Sequence, residues 1–223
     1  MRNPVILFDL DGTLIDSLPD LTDALNHMLA HFRRPPMSPA EVRHLVGKGV
    51  RNLVARALAS ASDQEINRGI ELFTTYNSTH IADKSRLYPG MREVLTELSA
   101  AGIPLAVISN KQEALCRLIL EALGIAELFA CICGGDTVAE LKPSPLPLQH
   151  VLALLGKERH EAIMVGDSSN DIQAGQRAGI STIGCSWGYG AAEELRGADQ
   201  LAASPRALAA LLLKHPTPTS PCP

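Results

Sequence analysis

The apolar run Val5-Ile6-Leu7-Phe8 ends in two carboxylates one residue apart, Asp9 and Asp11, followed by Gly12 and Thr13. On an extended strand, residues i and i+2 point to the same side. Both carboxylates can therefore face one spot just beyond the strand's carboxyl end, and Gly12 permits the sharp turn that stops the strand there. Two close carboxylates repel unless a cation or a shared proton relieves them, so the pair calls for a metal, a proton or both. Three further clusters have a similar character: Ser109-Asn110-Lys111, Lys142-Pro143, and Gly166-Asp167-Ser168-Ser169-Asn170-Asp171. Each has a plain reading on its own, as a helix cap or a solvated lysine. Together they supply a nucleophile, an acid, a metal site, hydroxyl and amide donors and a cation, an inventory that suits a phosphoryl group in transfer. Asp9, Asp11 and Asp167 crowd negative charge where no lysine pair is expected to cancel it.

Something must bring these clusters to one place. Strand-like runs at 103–109, 130–134, 162–166 and 181–186 alternate with helical stretches at 90–101, 112–123, 146–155 and 170–178. This βαβα rhythm predicts a parallel sheet with right-handed crossovers. Ligands of such sheets gather at the carboxyl edge, where the polar clusters would meet. Ser204 as N-cap and Pro205 at the first helical position start a last helix. The region 16–86 is different. Leu21, Leu25, Met28 and Leu29, then Leu53, Val54, Ala57 and Leu58, recur with a helical period, and almost no strand-like run occurs. The expected fold class is α/β: a Rossmann-like parallel sheet core with helices on both faces, from 1–15 and 87–214. A small all-helical domain, 16–86, is inserted after the first strand. The Pro-, Thr- and Ser-rich tail 215–223 is expected to be disordered.

Composition narrows the partners. The chain has 223 residues, 46% hydrophobic and 20% charged, with a formal net charge of -4. That balance argues against a nucleic-acid footprint or an anionic membrane surface. No apolar run approaches the roughly 18 residues of a transmembrane helix, and no small-residue cleavage site follows the opening apolar run. The five cysteines are an odd number without a C-x-x-C pair. Cys131-Ile132-Cys133 lacks the second pair that a metal site needs. A reduced, cytoplasmic setting is expected, with a small phosphorylated metabolite as partner and a monomeric or homodimeric state.

On these motifs, in this order, the chain resembles the haloacid dehalogenase-like superfamily of aspartyl phosphatases, with the helical insert in the place of the family's cap. More narrowly it resembles the phosphoglycolate phosphatases, through Asp16-Ser17, Val46-Gly47-Lys48-Gly49-Val50, Leu87-Tyr88-Pro89-Gly90 and Gly134-Gly135-Asp136. The resemblance implies that Asp9 is a nucleophile forming an aspartyl-phosphate, and that Asp11 is the general acid and base. It implies Mg²⁺ held by Asp9, the backbone carbonyl of Asp11, and Asp167. Asp171 would orient a metal-bound water or Lys142. Ser109, the backbone of Asn110 and Lys142 would hold the phosphoryl oxygens, and Thr13 is a further candidate substrate-binding residue. The implied reaction is hydrolysis of a phosphomonoester, 2-phosphoglycolate first. The alternatives are a sugar-phosphate phosphatase or a phosphomutase of the same superfamily, or a non-enzymatic phosphate-binding module. In the cap, Gly47-Lys48-Gly49 interrupts a helical pattern between Arg43 and Arg51. A basic loop suits a substrate carboxylate, so Lys48 and Arg51 are candidate substrate-binding residues; the plainer reading is a helix–helix turn in solvent.

Overall fold

A computed structural model describes residues 4–214. Its centre is a six-stranded sheet, every pairing of which is parallel. In sequence order the strands are β1 (Val5–Phe8), β4 (Leu105–Ile108), β5 (Cys131–Cys133), β6 (Ala162–Gly166), β7 (Ser181–Cys185) and β8 (Gln200–Ala202); in space they run β5-β4-β1-β6-β7-β8. Two further strands, β2 (Ile15–Asp16) and β3 (Arg86–Leu87), pair antiparallel in a separate ribbon.

β1, β4 and β6 are fully buried along their length, as strands covered on both faces must be. The period of two sorts their side chains. Ile6 and Phe8 join a core with α5 (Met91–Ala100), α6 (Glu113–Ala122) and α9 (Pro205–Lys214). Val5 and Leu7 join a second core with α7 (Leu146–Leu155) and α8 (Ser169–Ala178). The expected helices on both faces of a parallel sheet are thus present. Gly156 and Gly179 close α7 and α8 in the left-handed conformation, and Ser204 Oγ caps α9 by accepting from Ala207 N.

The four helices between β2 and β3 are α1 (Leu18–His31), α2 (Pro39–Arg43), α3 (Val50–Leu58) and α4 (Asp63–Thr79). They enclose an apolar core of their own, including Leu25, Met28, Leu53, Val54 and Phe73. Ser38 with Glu41 and Ser62 with Glu65 form reciprocal capping boxes that start α2 and α4. The boundary expected between 15 and 16 and between 86 and 87 falls inside the β2–β3 ribbon. Cys116, Cys131, Cys133 and Cys185 are free thiols. Cys222 and the tail 215–223 lie outside the described residues.

Candidate active site

β1, β4 and β6 are neighbours, so their carboxyl ends bring Asp9, Ser109 and Asp167 to one edge where the sheet's connections diverge. Gly12 turns the chain away from β1 at φ 93°, and a Cβ there would lie 2.3 Å from Asp167 Oδ2. Only glycine both adopts that backbone and leaves room for the carboxylate.

Lys142 is the hub of the site. Its ammonium donates to Asp9 Oδ1 at 2.6 Å and to Asp171 Oδ1 at 2.7 Å, and its side chain is 2% exposed. The main chain at Lys142 is fixed by Asn110, whose Oδ1 accepts from Lys142 N and whose Nδ2 donates to Lys142 O, each at 2.9 Å. Asp171 is held in turn by the Ser168 hydroxyl at 2.7 Å and the Ser168 N–H at 3.1 Å. Asp167 Oδ2 accepts from the backbone N–H groups of Tyr189 and Gly190. The Thr13 hydroxyl lies 3.4 Å from both Asp9 Oδ2 and Asp167 Oδ1. Asp11 stands apart: its carboxylate accepts from Lys111 Nζ at 2.7 and 2.8 Å and from the Ser17 hydroxyl.

Burial pushes the Asp9 carboxyl well up; Lys142 opposes this, while Asp171 and Asp167 add to it. Burial, reinforced by Asp171, pushes Asp167 up to about 7, against the hydrogen bonds from Tyr189 and Gly190. Burial alone would lower Lys142, but Asp171 and Asp9 outweigh it and hold the ammonium charged. Asp9, Asp167 and Asp171 each offer a carboxylate oxygen within 4.8 Å of the others, all buried. One lysine against three carboxylates leaves a deficit of positive charge. All-oxygen donors in such a cluster fit a hard divalent cation.

Residues 6–185 match the haloacid dehalogenase-like hydrolase family. The chain belongs to the haloacid dehalogenase-like hydrolases. The hydrolase is 43% identical over 199 residues to a phosphoglycolate phosphatase of Chromobacterium violaceum, covering 87% of this chain and 89% of the relative. It is 42% identical to one of Mesorhizobium japonicum, over 85% of each. A crystal structure of a predicted phosphoglycolate phosphatase from Haemophilus somnus 129pt superposes with a TM-score of 0.89 at 32% identity, covering 95% of this chain and 98% of that one. The family resemblance and the phosphatase activity that it implied are borne out.

Several expectations need correcting. The hydrolase does pair lysines with its acidic cluster: Lys142 sits on Asp9 and Asp171, and Lys111 on Asp11. The Thr13 side chain is wholly buried against two carboxylates rather than turned to substrate. The Asn110 side-chain amide is engaged by Lys142 and the Gly47 carbonyl, which does not bear on the expectation for its backbone. Arg51 binds within the helical unit, to Asp63 Oδ1 and Asn67 Oδ1 at 2.7 Å each, with its side chain 57% exposed. An arginine facing outward onto its own neighbouring helix is not placed to read a substrate. Arg51→Ala should leave kcat/KM within about twofold on every ester, because an exposed pair of this kind contributes little; a selective loss on an anionic ester would restore its assignment. Lys48 lines the outer cleft together with Asp9, Asp11, Lys142 and Asp167.

The cap loop is tied to the core by bonds between residues far apart in sequence. The Gly47 carbonyl accepts from Asn110 Nδ2 and Asn170 Nδ2. Arg43 donates to the carbonyls of Gly188 and Tyr189 at 2.7 and 2.8 Å. The Tyr189 hydroxyl accepts from Ser17 N and Leu18 N and donates to Asp16 Oδ1. The segment 187–190 therefore connects Asp167, the first linker and the cap. Its Trp-Gly-Tyr-Gly composition was the available signal, but nothing local says that it folds over an aspartate 22 residues earlier.

Proposed function

We propose that this chain hydrolyses a small phosphomonoester, 2-phosphoglycolate, through an aspartyl-phosphate. The observation that carries the reading is Asp9: a carboxylate at the end of the central strand, with Oδ1 held by Lys142 at 2.6 Å and Oδ2 held only by a long 3.4 Å contact from the Thr13 hydroxyl. Asp9 Oδ2 forms a bond to phosphorus as the bond to the substrate's alkoxide oxygen breaks, and Asp11 delivers a proton to that oxygen. In the second half, water attacks phosphorus and gives a proton to Asp11, and the bond to Asp9 breaks. Ser109, the backbone at Asn110 and Lys142 support the phosphoryl oxygens. Asp171 positions Lys142. Asp9, Asp167 and the Asp11 carbonyl would hold Mg²⁺, which when bound offsets phosphoryl charge. The reading places the enzyme in the cytoplasm, among small metabolites. Phosphate release from a panel of 2-phosphoglycolate, ethyl phosphate and hexose phosphates tests it. The highest kcat/KM is expected on 2-phosphoglycolate; a hexose phosphate ahead of it would overturn the substrate.

A chelator is expected to abolish turnover and Mg²⁺ to restore it, with a pH dependence set by Asp167. Metal ligands must be deprotonated. A carboxyl near 7 is mostly protonated at pH 6 and ionised at pH 8, so apparent Mg²⁺ affinity should weaken about tenfold per pH unit below 7. In metal-free protein its folded pKa lies above the unfolded value. That contribution to stability is present at low pH and lost as pH rises through 7. The thermal shift produced by Mg²⁺ should therefore grow from pH 6 to pH 8. A shift that is equal or larger at pH 6 would take Asp167 out of the metal site.

A further inference from the structure

Arg43, on α2 of the helical unit, reaches the core segment 187–190 across 145 residues. Its Nη2 donates to the Gly188 carbonyl at 2.7 Å and its Nε to the Tyr189 carbonyl at 2.8 Å. The N–H groups of the same two peptide units belong to Tyr189 and Gly190. Both donate to Asp167 Oδ2, at 2.6 and 3.3 Å. Both peptides are trans, and a trans peptide points its oxygen and its hydrogen in opposite directions. Two consecutive peptide groups are therefore clamped between a guanidinium on the helical unit and a carboxylate in the core.

The clamp is tight on both sides. A Cβ at Gly188 or at Gly190 would overlap Asp167, so the segment lies directly on that residue. Trp187 Nε1 donates to the Thr13 carbonyl at 3.1 Å, and the Tyr189 hydroxyl holds the backbone N–H groups of Ser17 and Leu18. The two peptide groups cannot shift without shifting the carboxylate that they hold. Hydrogen bonds in series also polarise one another, so a guanidinium on the carbonyls strengthens the donation to Oδ2. With Oδ2 taken twice, the carboxylate is turned to offer Oδ1, whose neighbour is the Thr13 hydroxyl at 3.4 Å.

We propose that Arg43 is a positioning residue that couples the seating of the helical unit to the Asp167 carboxylate through these two peptide groups, an assignment that rests on the place of Asp167 in the Mg²⁺ site proposed above. Coupling of this kind is reciprocal. A seated helical unit holds Asp167 ready for the cation, and a cation that holds Asp167 holds the helical unit down. The sign of the effect separates this role from charge alone. Arg43 is itself a cation, so by Coulomb repulsion its removal would tighten Mg²⁺ binding. Loss of a group that orients a metal ligand weakens binding instead.

The test measures Mg²⁺ affinity by titration calorimetry, without substrate, on the wild type, Arg43→Gln and Arg43→Lys. Arg43→Gln should bind about 3- to 10-fold more weakly, a smaller loss than the roughly 10- to 100-fold typical of groups that touch a metal ligand directly. Arg43→Lys should fall between, because an ammonium keeps the charge but not the planar fork that spans two carbonyls. Amide exchange supplies the reciprocal readout. In the wild type Mg²⁺ should slow exchange in residues 41–47, which hold none of the proposed metal ligands. In Arg43→Gln that slowing should disappear while slowing around Asp167 remains. Arg43 is exposed, and should Arg43→Gln fail to fold, Arg43→Lys carries the comparison. Affinity that is unchanged or tighter in Arg43→Gln, or slowing at 41–47 that survives there, would overturn the coupling alone. So would a loss confined to a raised KM that saturating Mg²⁺ does not repair, which would make Arg43 a substrate contact. A wild type that binds no Mg²⁺, or an Asp167→Asn variant that binds it as tightly, would overturn the metal assignment, and the coupling with it.

Discussion

Asp9→Asn is expected to lower turnover by about 10⁴- to 10⁶-fold, the scale seen when a covalent nucleophile is removed, while the protein stays folded. The amide has the shape of the carboxylate but cannot attack phosphorus. The fold should tolerate the change because burial already disfavours the Asp9 charge, and Lys142 keeps its second partner, Asp171. Wild-type enzyme quenched in acid during turnover should carry an acyl phosphate that hydroxylamine releases; the variant should carry none. A folded variant that retains more than about 1% of wild-type turnover would remove Asp9 from the nucleophile's role.

Lys142→Met should damage activity and stability together. The lysine is 2% exposed and sits between two carboxylates. Removing one partner from a buried ionic cluster costs about 3–5 kcal/mol, because the remaining charges stay buried and uncompensated. For a chain of this size that corresponds to a Tm lower by about 6–20 °C. The direction with pH is fixed by the raised carboxyls. Asp9 and Asp167 take up protons more readily in the folded state than unfolded, and Asp167 protonates as pH falls through about 7, which relieves repulsion in the cluster. The Tm gap to wild type should therefore be widest near pH 8 and narrow towards pH 6. A gap that widens on acidification would mean that Lys142 does not act by neutralising this cluster.

The sheet was legible because its strands are continuous apolar runs that end abruptly in Asp9, Ser109 and Asp167, with helix-period stretches between them. The run 162–166 was placed to the residue. β8 was missed: Gln200–Ala202 is short and includes a polar residue, and as an edge strand it needs no apolar signature. The meeting of the candidate site residues was also legible, since Asp9, Ser109 and Asp167 follow strand ends that the topology gathers, with Lys142 in the loop between β5 and α7. The partners of these residues were not. Lys111 reaches Asp11 across 100 residues, and Lys142 reaches Asp9 across 133; no local pattern states such a pairing. Arg51 was misread for the same reason. Its flank beside two glycines suggested a ligand loop, whereas Asp63 and Asn67 on the following helix claim its guanidinium.

The place of β1 in the sheet has a consequence for how the enzyme is made. Its first strand pairs through Ile6 with Leu105 on one side and Ile163 on the other. On a ribosome adding about 5–20 residues per second, roughly 5–20 s pass between synthesis of β1 and of its first neighbour. The helices from Leu18 to Thr79, contiguous in sequence, need nothing further downstream to close their own core. The helical unit is thus complete early in translation. The strand that ends in Asp9 waits, unpaired, for β4 and then for β6, which carries Asp167, and any chain released before that point lacks the assembled carboxylate cluster.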